Sequence, residues 1–341
     1  MKNLQFLSDR QRYLVVIAFV IVIALALMVA ADCLMPGAGG PFTARAAAST
    51  MSGQWMAEFN SKWPDRLQLS FITNSEKHGN MMGRSFSFAD LQGLDVGTMS
   101  SVKTDVKFSL SREAGIVSCE GTFKAGNGAG FWTFTPNASF VSAMASRGYS
   151  GLSDEDLFRA ALNNLTAKYT DEMKSVGFAE LGFDLLVRGA GHDVSLAYIN
   201  ELRAEGYPHL GMDELIRAHN HEIDRAYIAQ VRAMGFDKES LDTIIRMRNH
   251  EITSDYISQM KSAGFTNLTI DNLIRLKNHE VTPEFVSGVK AEGFADVSAD
   301  TAIRLKSHDV DLDFIRRAKA QGYANASLDD LIRLKSRGSL K

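Results

Sequence analysis

Residues His279–Ser307 read HEVTPEFVSGVKAEGFADVSADTAIRLKS. The line returns 29 residues earlier as HEITSDYISQMKSAGFTNLTIDNLIRLKN (His250–Asn278) and 29 later as HDVDLDFIRRAKAQGYANASLDDLIRLKS (His308–Ser336). Stepping back by the same interval gives copies that start at His221 and His192, then degenerate ones at Asn163 and Phe134, so seven copies fill residues 134–336 without an insertion. Self-similarity at a fixed period of this length predicts a stacked array, in which each unit is too small to bury its own apolar face and leans on its neighbours.

Each copy encodes two short helices. The slot of Thr282 is held by Thr166, Ser195, Asp224, Thr253 and Asp311 elsewhere, residues whose side-chain oxygens accept the unpaired N–H groups of a helix start. Pro283 suits the first helical position, where its missing donor costs nothing. The helix closes at Gly148, Gly177, Gly206, Gly235, Gly264, Gly293 or Gly322, one per copy and each followed by Tyr or Phe, the pattern of a left-handed C-cap with an apolar residue folding back. A second cap at Ser153, Ser240, Thr269, Ser298 and Ser327, with Gly182 and Gly211 in the remaining copies, opens a run of the form Asp-x-x-Ile-Arg. Helices this short fall below the ~12–15 residues needed to persist alone in water. The copies therefore predict an α-solenoid of seven 29-residue two-helix repeats. At helix spacings of ~8–10 Å it would form a rod or arc on the order of 70 Å long.

At 341 residues, with 45% hydrophobic and 23% charged residues, the chain has room for more than one domain. A net charge of −3 gives no broad basic field, which argues against nucleic acid as a partner. Cys33 and Cys119 are too few for a disulfide scaffold or a four-cysteine zinc site.

Tyr13–Ala31, YLVVIAFVIVIALALMVAA, is an unbroken apolar run close to the ~30 Å span of a bilayer core. Lys2, Arg10 and Arg12 precede it and the next basic residue is Arg45, which places the amino terminus in the cytoplasm and the bulk of the chain in the periplasm or outside the cell. A cleaved signal ending at Val29-Ala30-Ala31 is the alternative, although its apolar core exceeds the usual ~7–15 residues. Residues 32–52, rich in Gly, Ala, Ser and Pro, read as a flexible stalk. From Trp55 the period switches to two, with Leu67, Leu69 and Phe71, then Val106, Phe108 and Leu110, then Val117, Cys119 and Phe123. With turn signals at Glu113-Ala-Gly115 and Asn127-Gly128, this predicts a small antiparallel β-domain of five to seven strands, a sandwich or a partly open barrel. Cys119, in phase with Val117 and Phe123, reads as a buried free thiol.

The expected organisation is α+β and multidomain: a cytoplasmic amino terminus (1–12), a membrane anchor or uncleaved signal (13–31), the stalk (32–52), the β-domain (53–135), the helical array (136–336) and a tail (337–341). The last strand runs into the first repeat without a linker, so the β-domain is expected to cap the apolar end of the array.

Three patterns invite a chemical reading. His192, His221, His250, His279 and His308 each precede Asp or Glu, but one repeat step of roughly 10 Å exceeds the ~4 Å that two imidazoles on one zinc can span. Each instead follows a second helix, where a donor suits the exposed carbonyls. His-Glu-x-x-His is absent, and no nucleophile, base and orienting acid assemble from the sequence. Gly126-Asn-Gly128-Ala-Gly130 lies between strands with no helix to follow, and reads as a hairpin loop rather than a phosphate loop.

The third pattern is arginine. Arg159, Arg188, Arg217, Arg246, Arg275, Arg304 and Arg333 recur in every copy, each four residues after an acid. An exposed intrahelical pair gains only ~0.2–0.5 kcal/mol, too little to explain the recurrence. A guanidinium bridging to a neighbouring repeat explains it better, and a cationic stripe for a partner is the alternative.

Glu120-Gly121, the run Gly128-x-Gly130-x-Trp-Thr-Phe134-Thr-Pro-Asn137, and repeats of the form His-x-Val-Thr-Pro-Glu-Phe…Gly-Phe…Leu-Ile-Arg-Leu-Lys together resemble the extracytoplasmic region attached to some BlaR-type membrane sensor-regulators of bacteria. The similarity covers roughly residues 53–336, and those regulators also carry several spans and a zinc-peptidase motif that this sequence lacks. The resemblance implies a bacterial envelope protein with the accessory module and without the metallopeptidase. The expected function is a non-enzymatic, membrane-anchored scaffold that binds a protein or peptide partner in the envelope and needs no cofactor. The competing expectation is a sensory ectodomain whose β-domain binds a small envelope ligand.

Overall fold

Among the described residues seven strands come first in the chain: β1 (Met51–Phe59), β2 (Arg66–Thr73), β3 (Met81–Ser87), β4 (Leu91–Gln92), β5 (Thr104–Arg112), β6 (Gly115–Lys124) and β7 (Asn127–Pro136). The computed structural model describes residues 51–73, 81–99, 102–265 and 268–338, all within one compact unit, Ala48–Lys341. The apolar run 13–31 and most of the stalk lie outside the described residues. Among the described residues no helix is long and apolar enough to cross a membrane.

The strands form one antiparallel sheet in the order β3-β2-β1-β7-β6-β5-β4, curled into a half-barrel. Of the two shapes expected, the partly open barrel is the one found, because every strand joins the same sheet. The curl has a residue-level cause. Trp55 sits in register with Gly130, which pairs with Gly121; Trp132 pairs with Gly53; Phe123 pairs with Gly128. Each inner row thus sets a large ring beside a glycine, and a methyl on Gly121 would meet the Trp55 ring at 2.7 Å. Small neighbours let the rings lie across the sheet and bend it inward. The indole N–H groups then donate to strand carbonyls, Trp55 to Glu120 (3.1 Å) and Trp132 to Gln54 (3.0 Å).

Those pairings correct the loop assignment. The β6–β7 turn is Ala125-Gly126, both with positive φ, while Asn127, Gly128 and Gly130 belong to β7. A two-residue turn of left-handed residues matches strand twist, and the remaining glycines serve the rings. Cys119 is buried in the inner row beside Trp132, and burial pushes its thiol up to about 12.

The array follows directly. Its first helices are α1 (Ala138–Ala145), α3 (Ala167–Ser175), α5 (Leu196–Ala204), α7 (Arg225–Ala233), α9 (Ser254–Ser262), α11 (Pro283–Ala291) and α13 (Leu312–Ala318). Its second helices are α2 (Asp154–Leu162), α4 (Phe183–Gly191), α6 (Met212–Asn220), α8 (Leu241–Asn249), α10 (Ile270–Asn278), α12 (Ala299–Ser307) and α14 (Leu328–Ser336). First helices pack on first helices and second on second, giving two layers. The caps are where sequence places them: Thr282 accepts from Phe285 N (3.2 Å) and Asp311 from Phe314 N (2.7 Å). The closing glycines take φ of 91–102°. A second left-handed position follows each of the first six second helices, at Asn164, Asp193, Glu222, Glu251, Glu280 and Asp309, with φ of 50–56°.

The half-barrel closes over the first repeat. Phe158 of α2 is fully buried and stacks on Trp132 with ring centroids 4.4 Å apart and planes within 4°; Phe71 and Phe134 meet it edge-on at 5.8 and 5.4 Å. Polar clamps flank this plug. Glu113 in the β5–β6 turn accepts from Ala167 N at the start of α3 (2.8 Å). Arg84 of β3 donates to Asn163 Oδ1 (2.7 Å) and to the carbonyl of Gly191 at the end of α4, where a helix leaves carbonyls unpaired. Burial lowers the Arg84 pKa, and Asp193 opposes that. Gly191 leaves room for this clamp, because a Cβ there would displace the Asn163 amide and the Arg84 guanidinium.

Candidate functional site

The recurring arginines project from the second helices, and six of them reach the next repeat. Arg159 pairs with Asp184, Arg188 with Asp213 (2.9 Å), Arg217 with Asp242, Arg246 with Asp271 (2.7 Å), Arg275 with Asp300 (2.9 Å) and Arg304 with Asp329 (2.7 Å). From Arg188 onward, the acid four residues before each arginine therefore serves the preceding repeat rather than its own helix. Translation by one unit brings the sixth residue of one second helix over the second residue of the next. The result is a row of alternating charge in which each acid also sits in a helix first turn, where the dipole favours it. From Arg188 to Arg304 the arginine side chains are 44–52% exposed, which limits each pair to ~0.2–1 kcal/mol. Arg333, in the last copy, contacts Asp330 of its own helix (3.4 Å).

Other contacts repeat at the same translation. Arg203 donates to the carbonyl of Val176 (2.6 Å) and Arg232 to that of Glu205 (2.7 Å), so a base from one first helix closes the carbonyl end of the previous one. Arg248 lies over Tyr227 (4.7 Å), Lys277 over Tyr256, Lys306 over Phe285 and Lys335 over Phe314 (4.8 Å). Sequence reading missed this row because its cation and ring lie on different helices. The histidines are the C-cap residues of their helices. His192 Nδ1 meets Asn220 (2.9 Å) and His279 Nδ1 meets Ser307 (3.1 Å). Among the described residues no three His, Cys, Asp or Glu side chains converge to hold a metal.

Comparison with known proteins returns no matching family model, curated protein or solved structure. The surface must be read from its own chemistry.

The β-domain offers a second feature. The outer face of the sheet aligns Gln92, Ser109, Ser118 and Thr133 in one row across β4, β5, β6 and β7. Beside it run the Lys107–Glu120 pair (3.4 Å) and Phe131, which is 62% exposed. These side chains bound a shallow hollow of about 460 Å3.

Packing between repeats predicts a contrast among tyrosines in one slot. The Tyr198 hydroxyl donates to the carbonyl of Ile223 (2.8 Å), whereas the buried hydroxyls of Tyr227 and Tyr256 have no hydrogen-bond partner among the described residues; the next two copies hold Phe285 and Phe314 there. Removing an unpaired buried hydroxyl costs nothing, while removing a bonded one costs ~0.5–1.5 kcal/mol. Tyr227→Phe and Tyr256→Phe should leave the urea midpoint unchanged or raise it, and Tyr198→Phe should lower it. Equal shifts in all three variants would contradict the assignment.

Proposed function

We propose that this chain is a membrane-tethered, extracytoplasmic scaffold whose second-helix face binds a protein or peptide partner in the cell envelope, without chemistry of its own. The observation that carries this reading is the Arg–Asp row. Each pair joins one guanidinium nitrogen to one carboxylate oxygen, so donors and acceptors remain at regular intervals on a half-exposed face. An arginine fork with spare N–H groups suits a carboxylate on an incoming chain. Arrays of this kind offer extended surfaces to such partners. The apolar run 13–31 and its basic flank support the tether.

The test uses a photocrosslinking residue in the full chain in its native host, at Asn272 on the second helix α10 or at Ser258 on the first helix α9. A discrete protein adduct should form from position 272 and fail to form from 258. It should also be lost in the triple variant Arg246→Ala, Arg275→Ala, Arg304→Ala. That variant should lose only about 1–3 kcal/mol in total, so failed capture would not reflect unfolding. Adducts that are equal from both helices, or unaffected by the triple variant, refute the face. A phosphatase reporter active only outside the cytoplasm, fused after Lys341, should be active; silence there refutes the tethered orientation.

The hollow on the outer sheet face favours a second reading, a sensory ectodomain that takes a small ligand. Under that reading Phe131→Ala would abolish a ligand-induced rise in melting temperature and the arginine variants would not.

A further inference from the structure

Apolar side chains gather at one end of the half-barrel. Phe59 faces Leu67, Arg66 faces Ser87, Lys124 faces Asn127 and Thr104 faces Phe123. That register brings the β1–β2 turn, the end of β3, the β6–β7 turn and the start of β5 to the same rim. The array leaves from the opposite end, after Pro136. Trp63, at the tip of the β1–β2 turn, is 64% exposed, and Val96 and Val102, on the segment that leads into β5, are 48% and 68% exposed. Behind the tip Phe59 and Phe88 are half-buried, with ring centroids 6.1 Å apart.

The turn that carries Trp63 is braced. Asn60 Oδ1 accepts from Lys62 N (3.0 Å), Trp63 N donates to the carbonyl of Asn60 (2.9 Å), and Arg66 N donates to that of Trp63 (3.1 Å). Pro64 fixes a further dihedral, and the Arg66 guanidinium donates to the carbonyl of Ser85 (2.8 Å). The backbone thus holds the indole outward, so little freedom is lost when it meets a surface.

We propose that this rim sits on the surface of the lipid bilayer that anchors the chain, with Trp63 in the headgroup layer and Val96 and Val102 beside it. An indole suits that layer, being apolar along its body and a donor at its edge. Separate prongs on turn tips fit a fluid surface, whereas a protein partner is met through a closely packed patch. The exposed Lys62, Lys103 and Lys124 stand among Asp65, Asp95 and Asp105, so the contact is apolar and calls for no anionic lipid; lysine stems can lie along it with their charges in water. This proposal depends on the tethered reading of residues 13–31. Residues 32–50 separate that run from Met51 and can span up to ~60–70 Å. That is about twice the ~30 Å of β1 that separates Met51 from the rim.

The test reconstitutes the full chain in phosphatidylcholine vesicles and reads tryptophan emission. Trp55 and Trp132 are buried and the apolar run holds no tryptophan, so Trp63 alone reports contact with lipid. Phosphatidylcholine brominated near the headgroup end of its acyl chains should quench part of the emission, and more strongly than lipid brominated at the chain ends. Trp63→Phe should abolish that quenching, and iodide in the buffer should fail to reach Trp63 in the parent chain. Emission unchanged by either bromolipid overturns the proposal: access by iodide would then leave the rim in water, and no access would mean that protein covers it. Quenching that survives Trp63→Phe overturns it as well. Alkaline carbonate examines the tether separately. A chain stripped from the vesicles refutes the anchored reading and this proposal with it, whereas a retained chain without quenching refutes the rim contact alone.

Discussion

Phe158→Ala should lower stability by about 3–5 kcal/mol and uncouple the half-barrel from the array. The ring is fully buried, stacked on Trp132 and touched edge-on by Phe71 and Phe134, so truncation removes both burial and aromatic contacts that no neighbour can replace. The protein supplies its own reporters. Trp55, Trp63 and Trp132, the only tryptophans in the sequence, all lie in the β-domain, whereas the helical circular dichroism comes from the array. In the parent chain the two signals should share one urea midpoint. In Phe158→Ala they should separate, with the half-barrel and array melting independently. Coincident midpoints in the variant would show that the plug does not couple the two parts.

Gly53→Ala should be nearly as damaging, at about 3 kcal/mol or the upper end of overpacking costs. A methyl there would collide with the carbonyl of Ile72 in the adjoining strand and crowd the Trp132 indole nitrogen at 2.9 Å. A backbone carbonyl within a ladder has no rotamer to escape into. The natural comparison is Gly206→Ala, which meets nothing within 4 Å but holds φ of 91°; its cost should be only the ~1–2 kcal/mol of left-handed strain. If urea titration gave Gly53→Ala the smaller loss of the two, the account of the sheet's curl would be wrong.

The array was legible because one chain carries seven readings of the same unit. Caps and closing glycines corroborate one another from copy to copy, and helix boundaries follow from them. The arginine row was half legible: recurrence at every copy pointed beyond the helix, but only geometry could show that Asp271 serves Arg246 and not Arg275. Spacing of four residues is the same signal for both. The sheet was legible as alternation, yet a single curled layer and a two-sheet sandwich share that alternation. What distinguishes them, a ring in register with a glycine across strands such as Trp132 and Gly53, has no local signature. The left-handed acids were not legible at all, since Glu251 and Glu280 are poor residues for positive φ and are held there by the neighbouring caps.

The strand order also bears on how the chain acquires its shape. Each array bond spans no more than about one repeat, so helices can close as soon as the next unit exists, and short loops close fast. The sheet is different. Its central pairing joins β1 to β7, Met51 facing Phe134, and must wait until the whole β-domain has been made. Because Phe158 lies just downstream, the first repeat and the last strand become available together. Closure of the half-barrel should therefore be the slow event, with the array growing outward from it one unit at a time.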